Sequence, residues 1–240
     1  MTTATVVDSR ERFTPEPSRR RSRHVAVAVL GLCAVALAAW AIGWSSALSV
    51  TEVRVLGTNT VSSDQIRQAA GIALGTPLAR VDSAGVTARV EQIPAVDTVE
   101  VRLGWPHVLV LAVTERIPVA VIASGSALAV VDVAGVPFRS ATIRPPSLPL
   151  LSASSDSAMH AALVVIAGLP TDIGSQVSAV SARTPDDVVL TLASPVTVRW
   201  GGVNAADRKA AVLRALLPQR AKTYDVSAPE LPTTRGKAAR

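Results

Sequence analysis

Between Arg23 and Glu52 the chain runs 28 residues without a formal charge, and Val25 to Trp44 form twenty consecutive positions with no strongly polar side chain. At about 1.5 Å per residue such a helix reaches ~30 Å, the thickness of a bilayer's hydrocarbon core, and a surface that is apolar all round has no face to offer water. The pattern predicts a transmembrane helix over 24–47, with Val25 and Leu30 in its apolar body. Trp40 and Trp44, four apart on one helix face, read as an interfacial anchor at its far end. The run is longer than the apolar core of about 7–15 residues in a cleaved signal peptide, so retention is expected. Leu32 is too bulky for the position before a lipidated cysteine, which leaves Cys33 as an ordinary helix residue.

Beyond this run the patterning alternates. Thr51, Val53 and Val55 interleave with Glu52 and Arg54, a strand signal that ends at Gly57-Thr58-Asn59-Thr60. Ser62 and Gln65 have capping-box spacing before a helix with Ile66, Ala69 and Ala70 on one face and Gly71 as its stop. Asp82 can cap a second helix carrying Val86, Val90 and Ile93, terminated by Pro94. Alternation over 97–103, a reversal at Gly104-Trp105-Pro106 and an apolar strand over 108–115 complete a β-α-α-β-β unit within 50–117. Two helices on one face of a three-stranded sheet suffice for one small core.

From Pro118 onward short strands dominate: 119–122, 128–133 and the segment around Phe138. A helix over 156–169 places Met159, Leu163 and Ile166 on one side. Two strands flank the turn Thr184-Pro185-Asp186, and another ends at Gly201-Gly202. A further helix starts at Asn204, paired with Asp207 as its cap, and stops at Pro218. KTYDVSAP reads as extended chain, followed by a polar tail. The fold class is α+β, with a disordered cytoplasmic tail at 1–23, a β-rich domain with flanking helices at 118–230 and a mobile tail at 231–240.

Charge orients this layout. Of 24 basic residues 21 are arginine, and six of them, Arg10, Arg12, Arg19, Arg20, Arg21 and Arg23, precede the apolar run against Asp8, Glu11 and Glu16. Positive charge beside a first span holds that end in the cytoplasm, which puts the C-terminal domains outside, a single-pass type II arrangement in the plasma membrane. Aromatic residues are only 3% of the chain, too few for a base-stacking nucleic-acid surface. One cysteine cannot form an intrachain disulfide, and with three scattered histidines it supplies no zinc ligand set. No catalytic site, metal or cofactor is expected. There is no GxSxG elbow or glycine-rich phosphate loop, His24, His107 and His160 lie apart, and Asp186 and Asp187 would point to opposite faces of a strand.

The ordered landmarks Gly57, Asn59, Gly75, Pro77, Leu78, Asp82, Trp105-Pro106, Glu115-Arg116 and Pro118 resemble those of the polypeptide-transport-associated (POTRA) domain of the FtsQ/DivIB family of bacterial cell-division proteins. Val131, Asp132, Gly135 and Phe138 resemble that family's VD-x-x-G-x-x-F hairpin. VRWGG, KAAVLRALL and YDVSAPELPTTR resemble its actinobacterial members. The resemblance implies a scaffold concentrated at the division septum. Its final strand would bind FtsB, itself in a coiled coil with FtsL, and the complex would control septal peptidoglycan synthases. Carried over, the candidate platform is Tyr224, Asp225, Val226, Ser227 and Ala228, flanked by Arg208 and Arg214 on the preceding helix. Pro229 cannot donate a ladder hydrogen bond, so the added strand would be short. The edge of Val108 to Val113 is a second docking candidate. Two rivals stand beside this reading: a polypeptide-binding export protein with a POTRA unit, and a membrane-anchored cell-wall enzyme with an unrecognised site.

Overall fold

A computed structural model describes residues 19–44, 48–194 and 196–237. Helix α1 spans Arg19–Trp44, 26 residues. It starts ahead of the expected boundary at residue 24, so residues 19–23 of the expected tail are helical, and residues 1–18 lie outside the described residues. Side chains of α1 are described for residues 24–38 and 40, where Val25, Leu30 and Trp40 are exposed; that of Trp44 is not among them. Among the described residues no helix is long and apolar enough to cross a membrane.

The first domain follows the expected order: β1 Glu52–Leu56, α2 Ser63–Ala70, α3 Ser83–Val90, β2 Val96–Gly104 and β3 Val108–Glu115. Ser62 caps α2 by accepting from the Gln65 N–H at 3.2 Å, and Asp82 caps α3 by accepting from the Gly85 N–H at 2.9 Å. At the other end of α2, Gly71 turns left-handed and the Arg89 side chain donates to the Ala70 carbonyl at 2.7 and 3.1 Å, so α3 covers the orphan acceptors of α2. Gly57, at φ 83°, approaches β3 so closely that a Cβ would lie 2.1 Å from the Val113 carbonyl oxygen, which excludes any side chain there. The sheet order is β1-β3-β2. The strand over Val108 to Val113 is therefore central, paired on both sides, and the docking edge expected along it does not exist. The strands with open edges are β1 and β2.

The second domain is a nine-stranded sheet in the order β12-β11-β10-β9-β8-β7-β4-β5-β6. Its strands are β4 Ala120–Ser124, β5 Ala127–Val131, β6 Pro137–Ala141, β7 Leu150–Ala153, β8 Val177–Ala182, β9 Val188–Leu192, β10 Thr197–Gly201, β11 Ala221–Asp225 and β12 Thr233–Lys237. Helices α4 Asp156–Gly168, the short α5 Thr171–Gly174 and α6 Ala206–Leu216 interrupt them. Leu163 of α4 and Leu213 of α6 join Val180, Leu190, Trp200 and Tyr224 in one apolar cluster, each such burial contributing roughly 1.5–3 kcal/mol. A smaller cluster packs Leu128 and Phe138 on Val121, Val130 and Leu148.

Two expectations fail here. Asn204 does not cap α6; the residue before the helix is Ala205 at φ 54°, without a side-chain cap. Residues 233–237 are not a mobile tail but strand β12, antiparallel to β11, so the domain extends past 230. The β-branched pair Thr233-Thr234 suits a strand, and β11 supplies the hydrogen-bonding partners that a short polar segment lacks on its own.

Candidate functional site

Strand β11 pairs parallel to β10, with Tyr224 opposite Val198, and antiparallel to β12, with Tyr224 opposite Thr234. Of the open rim expected at 224–228, Tyr224 and Asp225 are covered by β12 and the remaining residues lie beyond the end of β11, so the outermost strand position belongs to β12. Thr233, Thr234, Arg235 and Gly236 are all exposed. A strand at the end of a sheet keeps half of its N–H and C=O groups free for another chain.

Each expected platform residue has a definite place. Tyr224 is 1% exposed; its hydroxyl accepts from the Ala221 N–H at 2.9 Å and donates to the Leu217 carbonyl at 3.2 Å, tying β11 to the turn after α6. It is a core residue of the second domain. Val226 is also buried, and its N–H donates to the Arg199 carbonyl. Asp225 accepts from the Ser227 N–H at 3.1 Å and the Ser227 hydroxyl at 2.6 Å. Burial pushes its carboxyl up, but those two bonds and the charges of Arg199 and Arg235 outweigh it and hold the group below the usual aspartate range. Ser227 and Ala228 are exposed in the connection to β12. A Cβ on Gly201, at φ 75°, would stand 2.8 Å from the Ser227 Cβ, which explains the glycine after Trp200.

Of the two flanking arginines, Arg208 is 2.7 Å from Glu230 in the β11–β12 connection, so it does border the edge. Arg214 instead forms a two-pronged pair with Asp172 of α5 at 2.6 and 2.7 Å. Both pairs are exposed. Behind them, Lys209 donates to the Gly202 carbonyl at 2.7 Å with its ammonium 5.9 Å from the Trp200 ring centre, so VRWGG and the α6 sequence meet in the core. Burial lowers the Lys209 pKa, and the nearby Asp186 charge raises it by less.

A second arrangement sits where the two domains join, at the landmark Glu115-Arg116. The Glu115 carboxylate accepts from the N–H groups of Asn59 at 2.8 Å and of Thr60 and Val61 at 3.0 Å, and from the Thr60 hydroxyl. Desolvation alone would raise its pKa; the Thr60 hydroxyl and the three backbone donors dominate and bring it down to about 2. Arg116 faces other partners. Its Nη1 lies 2.6 Å from Asp132 Oδ2 and 3.1 Å from Asp97 Oδ1, and its Nε donates to the Pro94 carbonyl at 3.2 Å. Asp132 is nearly buried and also accepts from the Val136 N–H at 2.8 Å, closing the hairpin that the VD-x-x-G-x-x-F pattern marks. These partners lie 16 to 56 positions away in sequence, and no local spacing announces them.

The three histidines do not converge. His24 and His160 are exposed, and the His107 Nδ1 is 3.3 Å from the Ser49 carbonyl oxygen. Asp187 pairs with Arg183 at 2.7 Å. Among the described residues no group of three His, Cys, Asp or Glu side chains could hold a metal ion.

Two family models match. The one described as "POTRA domain, FtsQ-type" covers residues 48–116, and "Cell division protein FtsQ/DivIB, C-terminal" covers residues 120–228. A cell division protein FtsQ of Mycobacterium leprae is 36% identical over 193 residues, which are 79% of this chain and 56% of that relative, so the chain spans little more than half of its length. The FtsQ of Streptomyces venezuelae is 35% identical over 230 residues, 90% of this chain and 84% of the relative. The structure of the major extracytoplasmic domain of Geobacillus stearothermophilus DivIB, in its trans isomer, is 17% identical with a TM-score of 0.34, covering 39% of this chain and 85% of that one. With a POTRA domain followed by a β-rich domain, and a relative at 35% identity matched over 84% of its own length, the chain belongs to the FtsQ/DivIB family of bacterial cell division proteins.

Proposed function

We propose that the protein is a single-pass membrane scaffold of the division machinery, not an enzyme, whose last strand takes up a strand of a partner. The observation that carries this is β12: a five-residue strand at the end of a nine-stranded sheet, exposed from Thr233 to Gly236, whose outer backbone edge has no strand beside it among the described residues. An extended segment added there gains main-chain hydrogen bonds, which supply affinity without a side-chain pocket. By its family the partner is an FtsB-like protein carried on an FtsL-like coiled coil, through which septal peptidoglycan synthases are controlled. The contact shifts from Tyr224–Ala228 to Thr233–Lys237, with Arg208 and Glu230 at its border.

The uncharged run from Val25 to Trp44 supports a membrane anchor, and the arginines ahead of it support a cytoplasmic N-terminus. A tether of this kind confines both domains to the membrane surface and raises their effective concentration for other anchored proteins.

The test is photo-crosslinking in dividing cells, with a reactive residue at Arg235 on β12 and, separately, at Ser140 on β6, the opposite end of the sheet. A small single-pass coiled-coil protein captured at Arg235 is expected. Adducts at Ser140 with none at Arg235 would overturn strand addition at β12. Uniform membrane fluorescence of a functional tagged copy, with normal division in a depleted strain, would overturn the septal role itself.

A further inference from the structure

We infer that the protein touches the bilayer a second time, through Leu74 and Trp105, which enter the membrane interface beside the anchor. The inference rests on the anchor reading above and goes beyond it.

The residues leaving the anchor are stitched to two loops of the first domain. The Val50 N–H donates to the Thr76 carbonyl and the Gly75 N–H to the Val50 carbonyl, both at 2.8 Å, and Ser49 forms an antiparallel bridge with Pro77. On the other flank the Thr51 N–H donates to the His107 carbonyl at 2.9 Å, and the His107 ring meets the Ser49 carbonyl. Each loop carries a large apolar side chain next to these bonds. Leu74 is 68% exposed and Trp105 is 56% exposed, more than any other large apolar side chain of the domain except Ile117.

Covalent length then limits how far this end can stand from the lipid. From Trp44 to Ser49 is five residues, at most ~18 Å when fully extended, and the stitched loops are held to the far end of that span. An indole at such a height has a favourable place at the headgroup level, where its apolar body and its N–H are both satisfied. Charge agrees: neither 73–81 nor 104–108 contains an acidic residue, and Arg80 lies in the first, so nothing in these loops repels an anionic leaflet. The occupant of this surface is the bilayer interface, not a protein.

The experiment uses the full chain in vesicles of phosphatidylethanolamine and phosphatidylglycerol, with Cys33→Ser as background. A nitroxide is placed at Ala73→Cys, which leaves Leu74 and Trp105 intact, at Leu37→Cys in the anchor, and at Ser140→Cys as an aqueous reference. Collision with a water-soluble nickel chelate is compared with collision with oxygen. The Ala73 label should lose nickel access relative to Ser140 and shift toward Leu37, and Leu74→Asp with Trp105→Asp should restore it. A Leu37 label shielded from nickel together with an Ala73 label as accessible as Ser140 overturns the second contact while the anchor stands. So does an Ala73 label that stays shielded in the double variant, or one that becomes shielded only when a partner protein is added. A Leu37 label open to nickel defeats the anchor reading, and this inference with it.

Discussion

The junction at Glu115-Arg116 and the edge at β11–β12 hold their surroundings in opposite ways. At the junction two adjacent charged side chains reach apart, one collecting three backbone N–H groups and a hydroxyl, the other a carbonyl and two carboxylates. Each bond depends on a specific side chain, and removing Arg116 leaves the buried Asp132 carboxylate without its ion-pair partner. At the edge the ladder between β11 and β12 is made by the main chain, and the side chains of Thr233, Thr234 and Arg235 are exposed. Sequence change should therefore be felt sharply at the junction and weakly at the edge, unless it alters the backbone.

The largest effect expected is at Arg116. Arg116→Ala strands the nearly buried Asp132 beside Asp97 and should destabilise the full chain by about 2–4 kcal/mol, read as a lowered unfolding midpoint in detergent. A change near zero would show that the junction is no stronger than a surface pair.

Glu115→Gln should follow, at about 1–3 kcal/mol, with a pH signature. Because the folded Glu115 carboxyl titrates near 2, below its unfolded value of about 4.3, its contribution is complete above pH ~4.5 and fades as pH falls toward 2. The wild type should lose stability through that window, and the glutamine variant should lack that part of the loss. Equal acid slopes for the two would remove Glu115 from the account.

Tyr224→Phe comes next, at about 1–2 kcal/mol, since the Ala221 N–H loses its acceptor and the Leu217 carbonyl its donor. It tests whether the edge has any side-chain dependence.

The smallest change in stability is at β12. Arg235→Glu should leave the midpoint within about 0.5 kcal/mol and partner capture intact, whereas Arg235→Pro, which removes an N–H, should abolish capture. Loss of capture in both variants would mean that charge, not backbone, carries recognition.

The first domain could be read almost entirely from local signals. Ser62 and Asp82 cap the helices they were expected to cap, and Gly71 stops α2, because a cap is a bond between residues three or four apart. The central place of β3 was not legible, since alternation marks a strand without saying which neighbours it pairs with. Asn204 misled for the reverse reason: its spacing to Asp207 is right for a cap, but the chain enters α6 through Ala205 in the left-handed region. At the candidate site, polar Thr-Thr-Arg-Gly-Lys looked like tail, and the β-branched pair was the one hint of a strand. Tyr224 was placed on the correct strand, yet its burial depends on Leu217 and Ala221, which the fold brings to its hydroxyl.

The uncharged run ahead of the domains, the β-α-α-β-β order and the family landmarks are written in the residues themselves, because each is a periodicity or a bond spanning a few positions. That β12 pairs with β11 and becomes the outer strand, that β3 is enclosed, and that Glu115 and Arg116 reach partners 16 to 56 positions away emerge with the packed fold. Strand pairing and charge burial are settled by which distant segments can share hydrogen bonds at the least cost in desolvation, and that choice is made when the chain packs.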